Sequence, residues 1–286
     1  MPYATASGDI PGKFDPVGSG DSVMNALRQV AVVIPAFNEA DALPTFLAEI
    51  RASFADHSVP VTLIVIDDAS TDETAAVALS FADVVPAPRN RGHGPTALAA
   101  YSAGLASGAE VIVHVDGDGQ FYGDDIVRVA LALDLAEVDV VHGVRRGRTD
   151  PWFRRCLSAL VRLLVLSVSG RSVPDVNTPL RAYRPDTLRL LMGGVPVEAL
   201  VPHVHFSIAE ARRRVRVRYV AVESIPRRGA VTQGTMWGTG RARRLVPPTR
   251  LVRFAAAALA ELWKVDIVGD RSTERRVASP DAAVGG

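Results

Sequence analysis

The chain has 286 residues, 48% of them hydrophobic, enough to bury one large core, and its single cysteine, Cys156, excludes an internal disulfide and points to a reducing compartment. A net charge of +1 conceals two halves of opposite sign: residues 1–144 hold 6 Lys and Arg against 20 Asp and Glu, and residues 145–286 hold 26 against 11. The basic half carries neither a base-reading helix nor an aromatic RNA-binding motif, so nucleic acid is excluded as a partner, while a membrane surface, a lipid phosphate, a diphosphate or pairing with the acidic half all stay open.

Met1 to Asn25 is rich in Gly, Pro, Ser and Asp, with no basic stretch leading into an apolar one; it is expected to be a disordered leader, not a signal peptide. Strands are predicted near 30–35, 61–66, 83–85, 111–115 and 138–142, separated by segments of helical length, which argues for a mainly parallel sheet covered by helices. The first is a buried run, Val30 to Ile34, stopped at Pro35 and followed by Ala36-Phe37-Asn38-Glu39 and an amphipathic helix over Ala42 to Phe54. No Gly-x-Gly-x-x-Gly follows this strand, which excludes a Rossmann dehydrogenase. The second, Leu63 to Ile66, ends in Asp67-Asp68 and leads to a helix capped by Ser70 or Thr71 with acids in its first turn.

The fourth run, Val111 to Val115, ends in Asp116-Gly117-Asp118-Gly119-Gln120. Two residues apart on an extended chain, the carboxylates would face opposite ways, but the glycines let the backbone turn both toward one ion. Such oxygen ligands suit Mg²⁺ or Mn²⁺ and, through the ion, a diphosphate; a solvated acidic turn is the other reading of the motif taken alone. Three strands thus deliver carboxylates or amides at their C-terminal ends, where open α/β sheets bind ligands.

Together with Arg89-Asn90-Arg91-Gly92-His93-Gly94, these strand ends resemble glycosyltransferase family 2 enzymes of the GT-A fold, and within them the polyprenyl-phosphate glycosyltransferases. The likeness runs over about residues 28–235. It implies a Rossmann-like, mainly parallel α/β sheet flanked by helices, with a basic C-terminal helical and loop segment for the acceptor. One domain, 26–265, would comprise a nucleotide-sugar half (26–145) and an acceptor half (146–265), followed by a disordered tail, 266–286. The resemblance places Pro35, Asn38, Glu39, Asp67, Asp68, Asn90 and Gly94 around the donor, and Asp116, Asp118 and Gln120 on the metal, Asp118 being catalytic. Phe37 stands where tyrosine is common, and Gly117 where alanine is frequent.

In the basic half, Pro151 to Leu166 reads as one or two helices whose arginines interrupt the apolar run, and Leu251 to Trp263 is a second short apolar helix; neither reaches the roughly 20 residues that span a bilayer. Either Trp152, Phe153, Arg154, Arg155 and Arg162 lie on a membrane, or Leu157, Leu160 and Leu164 pack on the sheet. With neither a signal peptide nor a spanning helix expected, the expected location is cytoplasmic, at most peripheral to the inner membrane face. Asp175 to Arg184 resembles the family segment beside donor sugar and acceptor, with Pro179-Leu180-Arg181 replacing its usual Gly-Phe-Arg ending. Arg145 and Arg181 are expected to bind the acceptor phosphate, and Arg227 or Arg228, in a Gly-containing loop over 226–235, the leaving diphosphate.

A lipid monophosphate is largely dianionic at neutral pH and needs no base, whereas a hydroxyl acceptor does; Glu198 is the candidate for that role. No Gln-x-x-Arg-Trp motif of processive synthases is present. His203 and His205 are open either to a second metal or to the acceptor cleft, His93 to a phosphate, and His114 to the core. The reading that results is a metal-dependent inverting transferase moving a sugar from a nucleotide diphosphate sugar to a polyprenyl phosphate. Its alternatives are transfer to a hydroxyl acceptor, or a catalytically silent nucleotide-sugar-binding protein.

Overall fold

The computed structural model describes residues 29–135, 137–146, 152–229 and 249–269. The expected leader, the end of the tail and the loop beyond Gly229 lie outside them. Seven strands form one sheet: β1 (Val30–Ala36), β2 (Val61–Asp67), β3 (Asp83–Pro86), β4 (Val111–His114), β5 (Val140–Arg146), β6 (Arg181–Tyr183) and β7 (Val217–Glu223), in the order β3-β2-β1-β4-β6-β5-β7. All pairings are parallel except those of β6, which runs antiparallel between β4 and β5. The GT-A-like sheet is therefore present.

Every residue of β1 is buried, as expected of a central strand covered on both faces. Val30, Val32 and Ile34 face a core built with α1 (Leu43–Asp56) and α4 (Gly123–Leu135), where Phe46, Ile50, Phe54, Ile126 and Leu133 pack. Ala31 and Val33 face the opposite core, closed by α3 (His93–Ala106), α6 (Pro185–Met192) and α7 (Pro202–Arg212). A third cluster joins Val165 of α5 (Trp152–Ser169), Val204 and Ile208 of α7 and Leu262 of α8 (Thr249–Leu262).

The expected halves share this sheet. β6 and β7 come from residues 146–265, the expected acceptor half, and complete it. β6 was hidden because an arginine opens its three residues, whereas the β-branched run through Val217, Val220 and Val222 carried a strand signal. The expected start of the tail at 266 also shifts: Trp263–Gly269 is a π-helical segment, with Asp266 bonded to His205 Nδ1 at 2.7 Å. The helix after β2, α2 (Thr74–Ala78), begins later than expected and has no acid in its first turn. Asp72 Oδ1 accepts from its first N–H at 3.0 Å, while the Ser70 hydroxyl accepts from Asn38 N.

Candidate active site

From β1 the chain passes to β2 on one side of the sheet and later to β4 on the other, so the β1/β4 boundary is the switch point at which a doubly wound sheet opens a crevice. β1 stays paired with β2 as far as Ala36↔Asp67, but its ladder to β4 ends at Val33↔His114. Pro35, which has no N–H to give, lies beyond that point, and its carbonyl accepts from Gly117 N at 3.2 Å. The Asp116–Gln120 turn is thereby seated against the end of β1, with Gly119 in the left-handed region at φ +65°.

Asp116, Asp118 and Glu39 form one electrostatic cluster at this crevice. Burial, followed by the Asp116 charge, pushes the Asp118 carboxyl up to about 6. Burial also pushes Glu39 up to about 8, with Asp118 and Asp116 adding to the rise against the opposing pull of Arg227. Asp116 Oδ1 is buried without a hydrogen-bond partner, and His93 Nε2 stands 3.8 Å from it. A cluster of acidic groups with an orphaned carboxylate oxygen fits a divalent cation. Among the described residues no group of three His, Cys, Asp or Glu could hold a metal. Asp116 and Asp118 would supply only part of such an ion's ligands, and a bound ligand or water would supply the rest, as is common for Mg²⁺. Gln120, expected as third ligand, donates its Nε2 to Ile225 O at 3.4 Å, and its backbone N–H to Asp118 Oδ1 at 3.3 Å.

The loops after β1 and β2 and before α3 are locked together by the predicted donor residues. Asn38, at φ +56°, accepts from Thr71 N at 2.9 Å, and Asp67 accepts from Ser70 N. The Asp68 carboxylate accepts from Arg91 N and Gly92 N, both at 2.8 Å, and Asn90 Nδ2 donates to Asp68 O at 3.2 Å. A carboxylate oxygen has a second lone pair, so Asp68 can brace the loop and still receive a ligand. Gly94, expected beside the donor, is explained by packing: a Cβ there would lie 2.0 Å from Ala199 O.

The acceptor residues need more correction. Arg181, expected on the acceptor phosphate, is fully buried. It donates to Thr178 O at 2.9 Å, Val176 O at 2.7 Å, Ser207 Oγ at 3.1 Å and Tyr183 OH at 3.3 Å, with Glu210 3.8 Å away. It is a core cation that builds β6 into the sheet. Arg145 turns its forked face to Asp175, at 2.8 and 3.0 Å, so the face expected for phosphate is occupied. Glu198, the candidate base, is exposed and bonded to Arg91 Nη2 at 2.7 Å. His203 and His205 do not form a second metal site: His203 Nε2 pairs with Tyr101 OH at 3.0 Å, and His205 lies between Asp266 and Glu261. His114 is a core residue as expected, held down to about 4 by burial.

The two loop arginines part ways. Arg228 clamps the Asp116–Gln120 turn: its Nε donates to Gly119 O at 3.0 Å, its Nη2 to Phe121 O at 3.3 Å and its Nη1 to Glu49, leaving it a structural role in place of the expected diphosphate contact. Arg227 instead enters the carboxylate cluster, with Nη2 2.6 Å from Glu39 Oε2.

Comparison with known proteins agrees with this architecture. An undecaprenyl-phosphate 4-deoxy-4-formamido-L-arabinose transferase from Serratia proteamaculans is 26% identical over 207 residues, 71% of this chain and 63% of that protein. One from Enterobacter sp. is 31% identical over 166 residues, 56% of this chain and 50% of that protein, so the chain spans about half to two thirds of the length of these relatives. Among solved structures, Mycobacterium tuberculosis glucosyl-3-phosphoglycerate synthase in complex with Mn²⁺, UDP and glucosyl-3-phosphoglycerate superposes with a TM-score of 0.61 at 19% identity, over 91% of this chain and 83% of that one, a likeness of fold. Residues 31–189, more than half of the sequence, match the family model for glycosyl transferase family 2, and the chain belongs to that family.

Proposed function

We propose that the protein transfers a sugar from a nucleotide diphosphate sugar to a polyprenyl phosphate, inverting the anomeric carbon, with Mg²⁺ or Mn²⁺ as cofactor. The observation that carries this reading is the Asp116/Asp118 pair at the β1/β4 crevice, with one carboxylate oxygen buried and unbonded. Asp116, Asp118 and the Gln120 side-chain oxygen would hold the ion. When bound, it supplies Lewis-acid stabilisation of the leaving diphosphate. Pro35, Asn38, Glu39, Asp67, Asp68 and Asn90 line the loops at the same crevice and are assigned to the donor's base and ribose. Arg227, 2.6 Å from Glu39, is assigned to neutralising the departing diphosphate.

The choice of acceptor draws on the undecaprenyl-phosphate transferases that this chain resembles, and on the lack of a placed base for a hydroxyl acceptor among the described residues. A phosphate dianion attacks without one, while Glu198, the candidate base, is tied to Arg91 at the surface.

A lipid acceptor puts the reaction at a bilayer, on the side the nucleotide sugar occupies. Among the described residues no helix is long and apolar enough to cross a membrane. α5 supports peripheral contact. Val161, Leu164, Val165 and Val168 turn inward, whereas Trp152, Leu160, Leu163 and Leu166 are exposed, with Arg155 and Arg162 exposed beside them. Of the leucines expected to pack on the sheet, Leu164 turns into the cluster with α7 and α8, and Leu160 faces out.

The test is product chemistry. Incubation with UDP- and GDP-sugars, a divalent ion and a short-chain polyprenyl phosphate should yield a glycosyl phospholipid whose anomeric configuration, read by NMR, is opposite to the donor's. Retention of configuration, or product only with hydroxyl acceptors, contradicts the proposal.

A further inference from the structure

Two adjacent arginines at the exit of β7 meet the Asp116–Gln120 turn, and the structure treats them differently. Arg228 is anchored through three nitrogens to Gly119 O, Phe121 O and Glu49, its guanidinium 5.4 Å from the Phe46 ring centroid, and its own N–H donates to Asp118 O at 3.0 Å. Arg227 has no comparable set. Its Nη2 meets Glu39 Oε2 at 2.6 Å, but its Nε is buried without a hydrogen-bond partner. Its charge acts on Asp118 as well as on Glu39. A guanidinium cannot shed its proton, so this is a permanent positive charge inside a cluster of three carboxyl groups, held there more by the field than by completed hydrogen bonds.

We propose that Arg227 is a built-in counter-cation of the Glu39, Asp116 and Asp118 cluster, which opposes the divalent ion until a nucleoside diphosphate arrives and so couples metal binding to donor binding. This rests on the metal and donor reading given above. A divalent ion arriving alone meets a cluster already partly neutralised and a fixed charge of its own sign. An ion arriving with a diphosphate brings anionic oxygens that offer Arg227 a better partner than Glu39, because phosphate accepts a guanidinium bidentately. Arg227 then leaves the carboxylates for the leaving group, and Glu39 is released toward the donor. Arg228, one residue on, keeps the turn in place during the exchange.

The coupling is measurable without turnover. Mn²⁺ alone is titrated into the full chain by electron paramagnetic resonance, then titrated again with UDP or GDP present, for wild type, Arg227→Gln, Arg227→Lys and Asp118→Asn. Arg227→Gln should bind Mn²⁺ alone more tightly than wild type, by about fivefold or more, and gain less from the nucleotide. Arg227→Lys, which keeps the charge, should stay close to wild type. Unchanged or weaker Mn²⁺ binding by Arg227→Gln overturns the inference, as does equal tightening by Arg227→Lys. If Asp118→Asn abolishes Mn²⁺ binding while Arg227→Gln leaves it unchanged, only the counter-cation falls. If Asp118→Asn binds Mn²⁺ as wild type does, the metal site falls with it.

Discussion

Replacing Arg181 by methionine keeps the apolar stem of a fully buried side chain and removes its charge. Four hydrogen bonds go with the guanidinium, two of them to the Val176 and Thr178 carbonyls at 2.7 and 2.9 Å. Glu210, also buried, is left with Tyr183 OH at 3.1 Å and His142 Nε2 at 3.1 Å, an imidazole that burial holds below its ordinary value. Leaving a buried carboxylate without its counter-charge costs about 3–5 kcal/mol. At about 2–4 °C per kcal/mol for a domain of this size, the melting temperature should fall by roughly 6–20 °C. Circular dichroism melting is the assay, with Arg181→Met/Glu210→Gln as companion: removing the stranded charge should recover part of the loss. An Arg181→Met protein that melts within about 2 °C of wild type and shows a raised KM for the lipid phosphate would refute this reasoning and restore the phosphate role expected from sequence.

His205 supplies a pH prediction. Burial alone would push its imidazole down, but the Asp266 and Glu261 carboxylates at 2.7 and 2.9 Å reverse this and raise it above its ordinary value. The anchoring of α8 by this group is fully present below about pH 6.5 and is lost as pH rises through the raised value, so urea-unfolding stability should decline across that window, and decline less in His205→Gln. Gly94→Ala forces a Cβ against the Ala199 carbonyl and should destabilise by about 1–3 kcal/mol in the same unfolding assay; an unchanged midpoint would contradict the close approach. Leu163→Glu, on the exposed face of α5, should reduce co-sedimentation with anionic vesicles while leaving the melting temperature near wild type, whereas a large fall in melting temperature would mark that face as packed.

The sheet and the crevice were legible in the sequence because they rest on local signals. Val30 to Ile34 and Val111 to Val115 are continuous apolar runs, and each delivers polar residues where its run stops. The acceptor half resisted because its residues draw their meaning from distant partners. Arg145 and Arg181 look alike as sequence, yet one faces Asp175 and the other is enclosed by Ser207, Tyr183 and Glu210. Nothing local distinguishes Arg227 from Arg228 either. Their separate fates depend on Glu39 and Glu49, 188 and 179 residues away, each brought to the crevice by the sheet and α1.

The most direct measurement is release of nucleoside diphosphate from a sugar nucleotide, with and without a short-chain polyprenyl phosphate, by wild type and Asp118→Asn. Release that requires the lipid phosphate and falls by more than about 100-fold in Asp118→Asn is the result expected here, since even outer-shell changes at metal sites cost about 10–100-fold. Release that is indifferent to the lipid, or that survives in Asp118→Asn, would contradict a metal-dependent transfer to a lipid phosphate at the β1/β4 crevice.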